Sequence, residues 1–575
     1  MEMLELMEEM TNNIDGEQEK VLADILSLNA NTEYLQRHGL AGKTDRESFK
    51  TKLPVVTYED IRPDIHRIAN GDRSPILSAL PLYHFLCSSG TSGGEKKLLP
   101  LVEGDHDRVE MVVRISGSLM NRHSSVLKQG KALNFVHVRK EWETGSGIAV
   151  RYGVTTWYKS SHFLSKHHHY STTHTSPVAS IHCTDTFQST YSQLLAGLAD
   201  RLSVAQLSAT FALGLLQAIR FLERHYQDLA MDIEKGTVDP RITDKDIRAA
   251  LETRLAPDPE NAAHIRKECG RGQWKGIIRR IWPNAQYLEA VATGSMSPYV
   301  PILEFYSDGL PLVSLLYGST ECLFGINLNP FCKPEDVAYT ILPYLAYFEF
   351  LPVESRESCL QPSELVNLAD VQMGKEYEIV VTTYSGLYRY RVGDILRVVS
   401  FYNKAPQFKF VCRGNVVLSI DIEKTSEADL QKAVAAAEAA HLIPHNTRVA
   451  EFTSYADTTT TPGHYVIYWE LSPTTNQIEG FTTDYLIGQC CLAIEESLDA
   501  TYKEVRFHDG SIGPLEIKVV KNGTFDRLMD FAVSNGASVA QYKPPRCVKS
   551  DSLLQILDAA VVSAHFSPRP PSWSK

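Results

Sequence analysis

No apolar run in the 575-residue chain reaches the ~18 residues that a membrane span needs. The opening MEMLELMEEM is acidic and periodic, unlike the basic-then-apolar start of a secretory signal. Cysteine is sparse at ten residues; only Cys490 and Cys491 are close neighbours, and no C-x-x-C occurs. A disulfide framework is therefore not suggested, and a reduced, cytoplasmic compartment is the expectation. Basic blocks are missing too: 57 Lys and Arg stand against 69 Asp and Glu, a net charge of −12. Nucleic acid and membrane are poor partners for such a chain. No internal repeat or low-complexity segment is present.

What is there is ample apolar material. Hydrophobic residues make up 43% and charged ones 22%, enough for a sizeable core in two or three domains. The first forty residues read as amphipathic helix, stopped at RHGLAG. PVVTYEDIRP reads as a short strand before a new helix. Leu207, Phe211, Leu215, Ile219 and Leu222 recur at three- and four-residue spacing, which predicts one helix between Ala205 and Lys235. EIVVTTY, DILRVVSFY, QFKFVC and NVVLSI predict an antiparallel sheet. After Arg413 the pattern starts afresh as a compact α+β unit, so domains of 1–412 and 413–575 are expected. The tail SPRPPSWSK reads as frayed.

Three stretches could carry chemistry. FLCSSGTSGGEKKLLP (Phe85 to Pro100) lacks the hydroxyl that completes a G-x-x-x-x-G-K-[ST] loop. Its Ser, Thr and Gly run can still turn N–H groups and hydroxyls into one concavity suited to anionic oxygens; a mobile turn is the competing reading. LLYGSTECLFGINL (Leu315 to Leu328) sets Glu321 among hydroxyls at the end of an apolar strand, a setting suited to Mg²⁺ on a nucleotide or to a capped helix start. GLYRYRVGDIL (Gly386 to Leu396) places Asp394 after Gly393 in what reads as a tight turn, where a carboxylate could accept ribose hydroxyls. SKHHHYSTTH holds four histidines within eight residues, but adjacent histidines in a solvated loop seldom converge on one ion.

The order of these stretches resembles the adenylate-forming enzymes and, more specifically, the plant acyl-acid-amido synthetases that conjugate auxin and jasmonate. SSGTSGGEKKLLP, YGSTE, YRVGD, WPNAQYLEAVATGSM, YFEFLP, GTFDRLMDF and YKPPRC carry the resemblance, and AHFSPRPPSW is similar to members that use indole-3-acetic acid. It implies a mixed α/β fold of adenylate-forming architecture. A large N-terminal domain would hold β-sheets with packed helices and a small barrel-like sheet; a small, mobile α+β C-terminal domain would rotate between half-reactions. It also implies ATP and Mg²⁺, amide-bond formation between an acidic hormone and an amino acid, and a monomer.

Carried over by position, the resemblance gives Ser88, Ser89 and Thr91 to phosphate oxygens. Ser319, Thr320 and Cys322 would flank the α-phosphate, with Glu321 as the Mg²⁺ anchor. Tyr347 would pack on adenine and Asp394 would bind ribose, while Lys424 and Lys543 would neutralise phosphate from the small domain. Arg108 would meet the acid's carboxylate, and Val154 and Thr155, read as a strand segment, would line the acyl pocket. Val113 stands where many relatives carry tyrosine, which leaves jasmonate and benzoate open beside indole-3-acetic acid. A hormone-binding protein without catalysis is the reading from another class.

Overall fold

The computed structural model describes residues 2–40, 42–92, 95–123, 130–353, 365–413, 418–445, 447–471, 480–534, 545–548 and 550–572. The chain divides into two compact units, one of Met1–Ser88 with Leu98–Gly414, the other of Ser89–Lys97 with Asn415–Lys575.

Strands β1 (Leu82–Ser92) and β2 (Glu95–Val102) share a sheet with β4 (Trp142–Glu143) and β5 (Ala149–Arg151), in the order β2-β1-β5-β4. A parallel sheet is built from β3 (Lys131–Phe135), β6 (Val204–Phe211), β7 (Tyr287–Val291) and β8 (Leu312–Val313). The largest sheet is antiparallel and eight-stranded. It contains β9 (Leu316–Gly318), β10 (Leu323–Ile326), β11 (Tyr339–Ile341) and β12 (Tyr347–Pro352). It is completed by β13 (Val366–Asn367), β14 (Glu376–Thr382), β15 (Tyr390–Tyr402) and β16 (Ala405–Arg413). Among the described residues its end strands, β13 and β9, are not paired with each other. The second unit carries β17 (Val449–Asp457), β18 (His464–Leu471), β19 (Glu516–Val520) and β20 (Val561–Phe566) in that order. Among the described residues no helix is long and apolar enough to cross a membrane.

Several local expectations change. The first forty residues form three helices, Glu2–Asn12, Ile14–Leu28 and Glu33–Arg37, instead of one. Leu207 and Phe211 belong to strand β6, and only Leu215, Ile219 and Leu222 ride on the helix Ala212–Lys235. Gln206, Ser208 and Thr210 alternate with Leu207, Ala209 and Phe211 as a strand requires, but Leu207 and Phe211 also stand four residues apart in step with Leu215 and Ile219, so the helical spacing extends back over the strand. Gly236, at φ 65°, then closes the helix in the left-handed region. In PVVTYEDIRP the extended part shrinks to a single bridge from Val56 to Tyr390, ahead of the helix Tyr58–Ala69. In NVVLSI only Leu418 makes a bridge, to Thr425; residues 414–417 lie outside the described ones. The expected helix through CCLAIEESLDATY is two: Gly480–Ser497, then Ala500–Glu504, whose start is capped by Asp499 accepting from Tyr502 N at 2.7 Å.

Candidate active site

β9 and β10 form a hairpin; YGSTE runs from the end of β9 into its turn, Ser319 to Cys322, and is not a helix start. Ser319 N donates to Cys322 O at 2.9 Å, which closes the turn. The Ser319 hydroxyl donates to Glu321 Oε2 at 2.7 Å, while Glu321 itself is only 8% exposed. Thr320 and Cys322 are half-buried beside it. The Tyr390 phenol, from β15, approaches Glu321 Oε1 at 3.5 Å.

Asp394 is not in a turn. It lies within β15, opposite Arg413 of β16, and Gly393 before it takes φ 90° inside the strand. Only glycine holds that conformation cheaply, so the residue pair that read as a turn is an irregularity in a continuous strand. The Tyr317 phenol, from β9, donates to Asp394 Oδ2 at 2.9 Å, and both residues are buried. Each carboxylate is thus gripped by a tyrosine from the segment that carries the other.

Neighbouring charges reach the same turn. Burial pushes the Cys322 thiol well above its ordinary pKa; Asp105 adds to the rise, Arg108 opposes it and Glu321 adds a smaller push. Arg108, on the helix Asp105–His123, donates to Asp105 Oδ1 at 2.6 Å and lies 4.0 Å from the centre of the Tyr384 ring. Its side chain is only 22% exposed, so it is oriented rather than free on the surface. Tyr344 is a residue that sequence reasoning missed. Its hydroxyl is buried without a hydrogen-bond partner, and burial, with Cys322 nearby, holds its proton tightly.

The other expected residues fall less neatly. Ser88 is buried on β1, which continues as strand through Ser92 where a loop was expected. Ser89 and Thr91 belong to that strand and group with the second unit, and their side chains lie outside the described residues. Tyr347 is 1% exposed, edge-on to Phe49, with its hydroxyl on Asn367 at 3.4 Å. Phe348, Val381 and Tyr390 are aligned across β12, β14 and β15 and share one sheet face, the one that leads to Glu321. Tyr347 takes the opposite face with Thr382, so its ring offers nothing to a base beside Glu321.

Val154 and Thr155 are helical, in Gly153–Tyr158, and not strand. The Thr155 hydroxyl is already committed, accepting from Arg139 N at 2.9 Å, while Val154 is half-buried. Lys424 is half-buried beside Glu423 in the second unit, and Lys543 lies outside the described residues. The histidine run forms the helix His167–Thr173 instead of a loop. Among the described residues no group of three or more His, Cys, Asp or Glu could hold a metal ion unaided. One carboxylate plus phosphate oxygens is a different donor set, and Glu321 with its hydroxyl neighbours suits it.

Tyr317 and Tyr390 were visible as the first letters of YGSTE and YRVGD, but nothing in either stretch says that each reaches across to the other's acid.

The GH3 family N-terminal domain matches residues 3–312, the central domain 339–413 and the C-terminal domain 428–552. The chain is 52% identical over 574 residues to a probable indole-3-acetic acid-amido synthetase, GH3.1, of Arabidopsis thaliana, covering 99% of this chain and 95% of the relative. It is 51% identical over 575 residues to the indole-3-acetic acid-amido synthetase GH3.8 of Oryza sativa subsp. indica, covering 100% and 95%. Among solved structures, the GH3.15 acyl acid amido synthetase is similar at 47% identity and a TM-score of 0.69, covering 99% of this chain and 98% of that one. A family domain matched over more than half of the chain, and relatives this similar along its whole length, place the protein in the GH3 family.

Proposed function

We propose that the protein is an ATP-dependent ligase that joins an acidic hormone, indole-3-acetic acid, to an amino acid through an acyl-adenylate. The observation that carries this reading is the crossed pairing of Glu321 and Asp394 with Tyr390 and Tyr317, which fixes two buried carboxylates around one turn of hydroxyls. The relatives named as indole-3-acetic acid-amido synthetases support the choice of acid. The solved relative in complex with 2,4-DB keeps a second class of acid in play.

In the first half-reaction a carboxylate oxygen of the acid attacks the α-phosphorus of ATP, and the bond to pyrophosphate breaks. In the second, the amine nitrogen of an amino acid attacks the activated carbonyl, the bond to AMP breaks, and the ammonium proton is lost to solvent. A free carboxylate is a poor acylating agent, whereas AMP leaves as a stabilised anion. The protein's share is positioning and charge stabilisation. Asp394, oriented by Tyr317, would accept the ribose hydroxyls. The unpartnered Tyr344 hydroxyl would meet a polar edge of the nucleotide. Glu321 would hold Mg²⁺, which supplies neutralisation of phosphate charge when bound. Arg108, already oriented by Asp105, would face the acid's carboxylate. Lys424 and Lys543, with Ser88, Ser89 and Thr91, belong to this reading as phosphate ligands.

Pyrophosphate release with ATP, magnesium, an amino acid and a panel of acids tests it, with mass spectrometry of the amide. Release stimulated most by indole-3-acetic acid is expected. Stimulation by no acid would end the enzyme reading, and a jasmonate preference would end only the substrate assignment.

A further inference from the structure

Arg108 is held by two groups, and only one of them belongs to its own helix. Asp105, one turn earlier, accepts from Arg108 Nη2 at 2.6 Å and is itself fixed by accepting from Val102 N at 2.8 Å. The second group comes from the turn between β14 and β15, where the centre of the Tyr384 ring stands 4.0 Å from the guanidinium carbon. Burial raises the Tyr384 phenol above its ordinary pKa, and the charge of Arg108 opposes the rise. Arg108 Nε and Nη1 keep no partner among the described residues, so donors are left for a ligand.

The turn that carries Tyr384 is docked firmly on another segment. The Tyr384 carbonyl accepts from the Ser78 hydroxyl at 3.0 Å, and the Tyr388 phenol donates to Leu77 O at 2.7 Å. Gly386, at φ 96°, packs so closely that an added Cβ would collide with the Leu77 carbonyl. The half-buried Tyr384 ring therefore has a fixed place. The same hairpin brings Tyr390 to Glu321, so one support serves both the nucleotide residues and Arg108.

An arginine side chain has much rotamer freedom to lose, and a group that fixes it beforehand spares the ligand that cost. An aromatic face attracts the cation while leaving the edge that bears its donors open. A carboxylate meets a guanidinium at that edge, so ring and ligand do not compete. We propose that Tyr384 is a positioning residue for the acyl acid: its ring sets the plane of Arg108 and so presents the free donors to the substrate carboxylate. This inference rests on the place given to Arg108 under the proposed function.

The test follows KM for indole-3-acetic acid and for ATP, by pyrophosphate release, in Tyr384→Leu, Tyr384→Phe and Tyr384→pentafluorophenylalanine. Tyr384→Leu should raise the acid KM about three- to tenfold without moving that for ATP. Tyr384→Phe, which restores the ring, should recover most of the loss. The fluorinated ring keeps the size but not the negative face, so it should behave as Leu does; it also decides the matter if Tyr384→Leu fails to fold. In an Arg108→Gln background Tyr384→Leu should add nothing, whereas a purely structural effect would persist. An acid KM for the fluorinated ring equal to that of Tyr384→Phe, a Leu effect shared equally by ATP, or one that survives in Arg108→Gln would overturn the proposal and leave the ligase reading standing. If Arg108→Gln itself leaves the acid KM unchanged, the place given to Arg108 falls and this inference falls with it. Release stimulated by no acid in the wild type would instead end the ligase reading itself.

Discussion

Tyr317 donates to Asp394 at 2.9 Å across a sequence separation of 77 residues, and Tyr390, four residues before Asp394, reaches back to Glu321, four residues after Tyr317. The two acids therefore stand or fall together. A shift of the β9–β10 hairpin that freed one tyrosine would loosen the other acid as well. Phenols suit this work, since they donate to a carboxylate while their rings pack in the apolar core, as Tyr317 does beside Phe324 and Tyr339.

Tyr317→Phe removes the phenol and keeps the ring. A hydrogen bond to a charged acceptor contributes about 1.5–3 kcal/mol, so the KM for ATP should rise roughly tenfold or more while the melting temperature moves little. Asp394→Ala should raise it further. Steady-state kinetics at varied ATP checks both, and an unchanged KM in either variant would remove the ribose assignment.

Arg389 is fully buried at φ 48°. It donates to Glu349 from Nε at 2.9 Å and from Nη2 at 3.0 Å, and from Nη1 to the carbonyls of Lys50 and Leu53. Glu349→Ala would leave a buried guanidinium without its counter-charge, at a cost of about 3–5 kcal/mol. The apparent melting temperature should drop by roughly 5–10 °C. A drop of a degree or less would mean that the pair adds little beyond its packing.

His84 is buried with Nε2 3.0 Å from the Thr156 hydroxyl. Burial, aided by the charges of Arg151 and His106, holds its pKa down to about 4. In the unfolded chain it titrates near ~6.5, so between those values only the unfolded state binds the proton. Its contribution is present above ~6.5 and lost as pH falls through about 4, reaching roughly 3 kcal/mol. His84→Gln should flatten the fall of melting temperature between pH 6.5 and 4. Identical curves for variant and wild type would contradict this.

Gly325 follows the YGSTE hairpin on β10, and a Cβ added there would sit 2.3 Å from the Thr340 carbonyl oxygen of β11. Gly325→Ala must push the two strands apart and should abolish soluble, ATP-binding protein. Gly117, in the helix Asp105–His123, has nothing within 4 Å of its added Cβ. Gly117→Ala should be neutral or stabilising by about 0.5–1 kcal/mol. Expression and thermal melts of the pair separate the two outcomes.

The stretches that hold Glu321 and Asp394 stand out in the sequence because hydroxyls, glycine and acid recur there in short, ordered runs. The long helix after β6 was legible too, through Leu215, Ile219 and Leu222. The strand before it was not, because Leu207 and Phe211 fall in step with Leu215 and Ile219, which hides the two-residue alternation of Gln206, Ser208 and Thr210. Asp394 read as a turn residue because Gly-Asp usually is one; the positive φ of Gly393 within β15 is a tertiary outcome. Tyr347 shows the same limit. Which side of the sheet it takes depends on register with β14 and β15, and a one-residue difference reverses the answer.

Titration calorimetry of Mg-ATP into the wild type and Asp394→Ala tests most directly whether the crossed carboxylates hold one nucleotide. The account predicts a saturable one-to-one heat for the wild type and its loss, or a strong weakening, in the variant. No heat in the wild type, or the same isotherm for both, would contradict it.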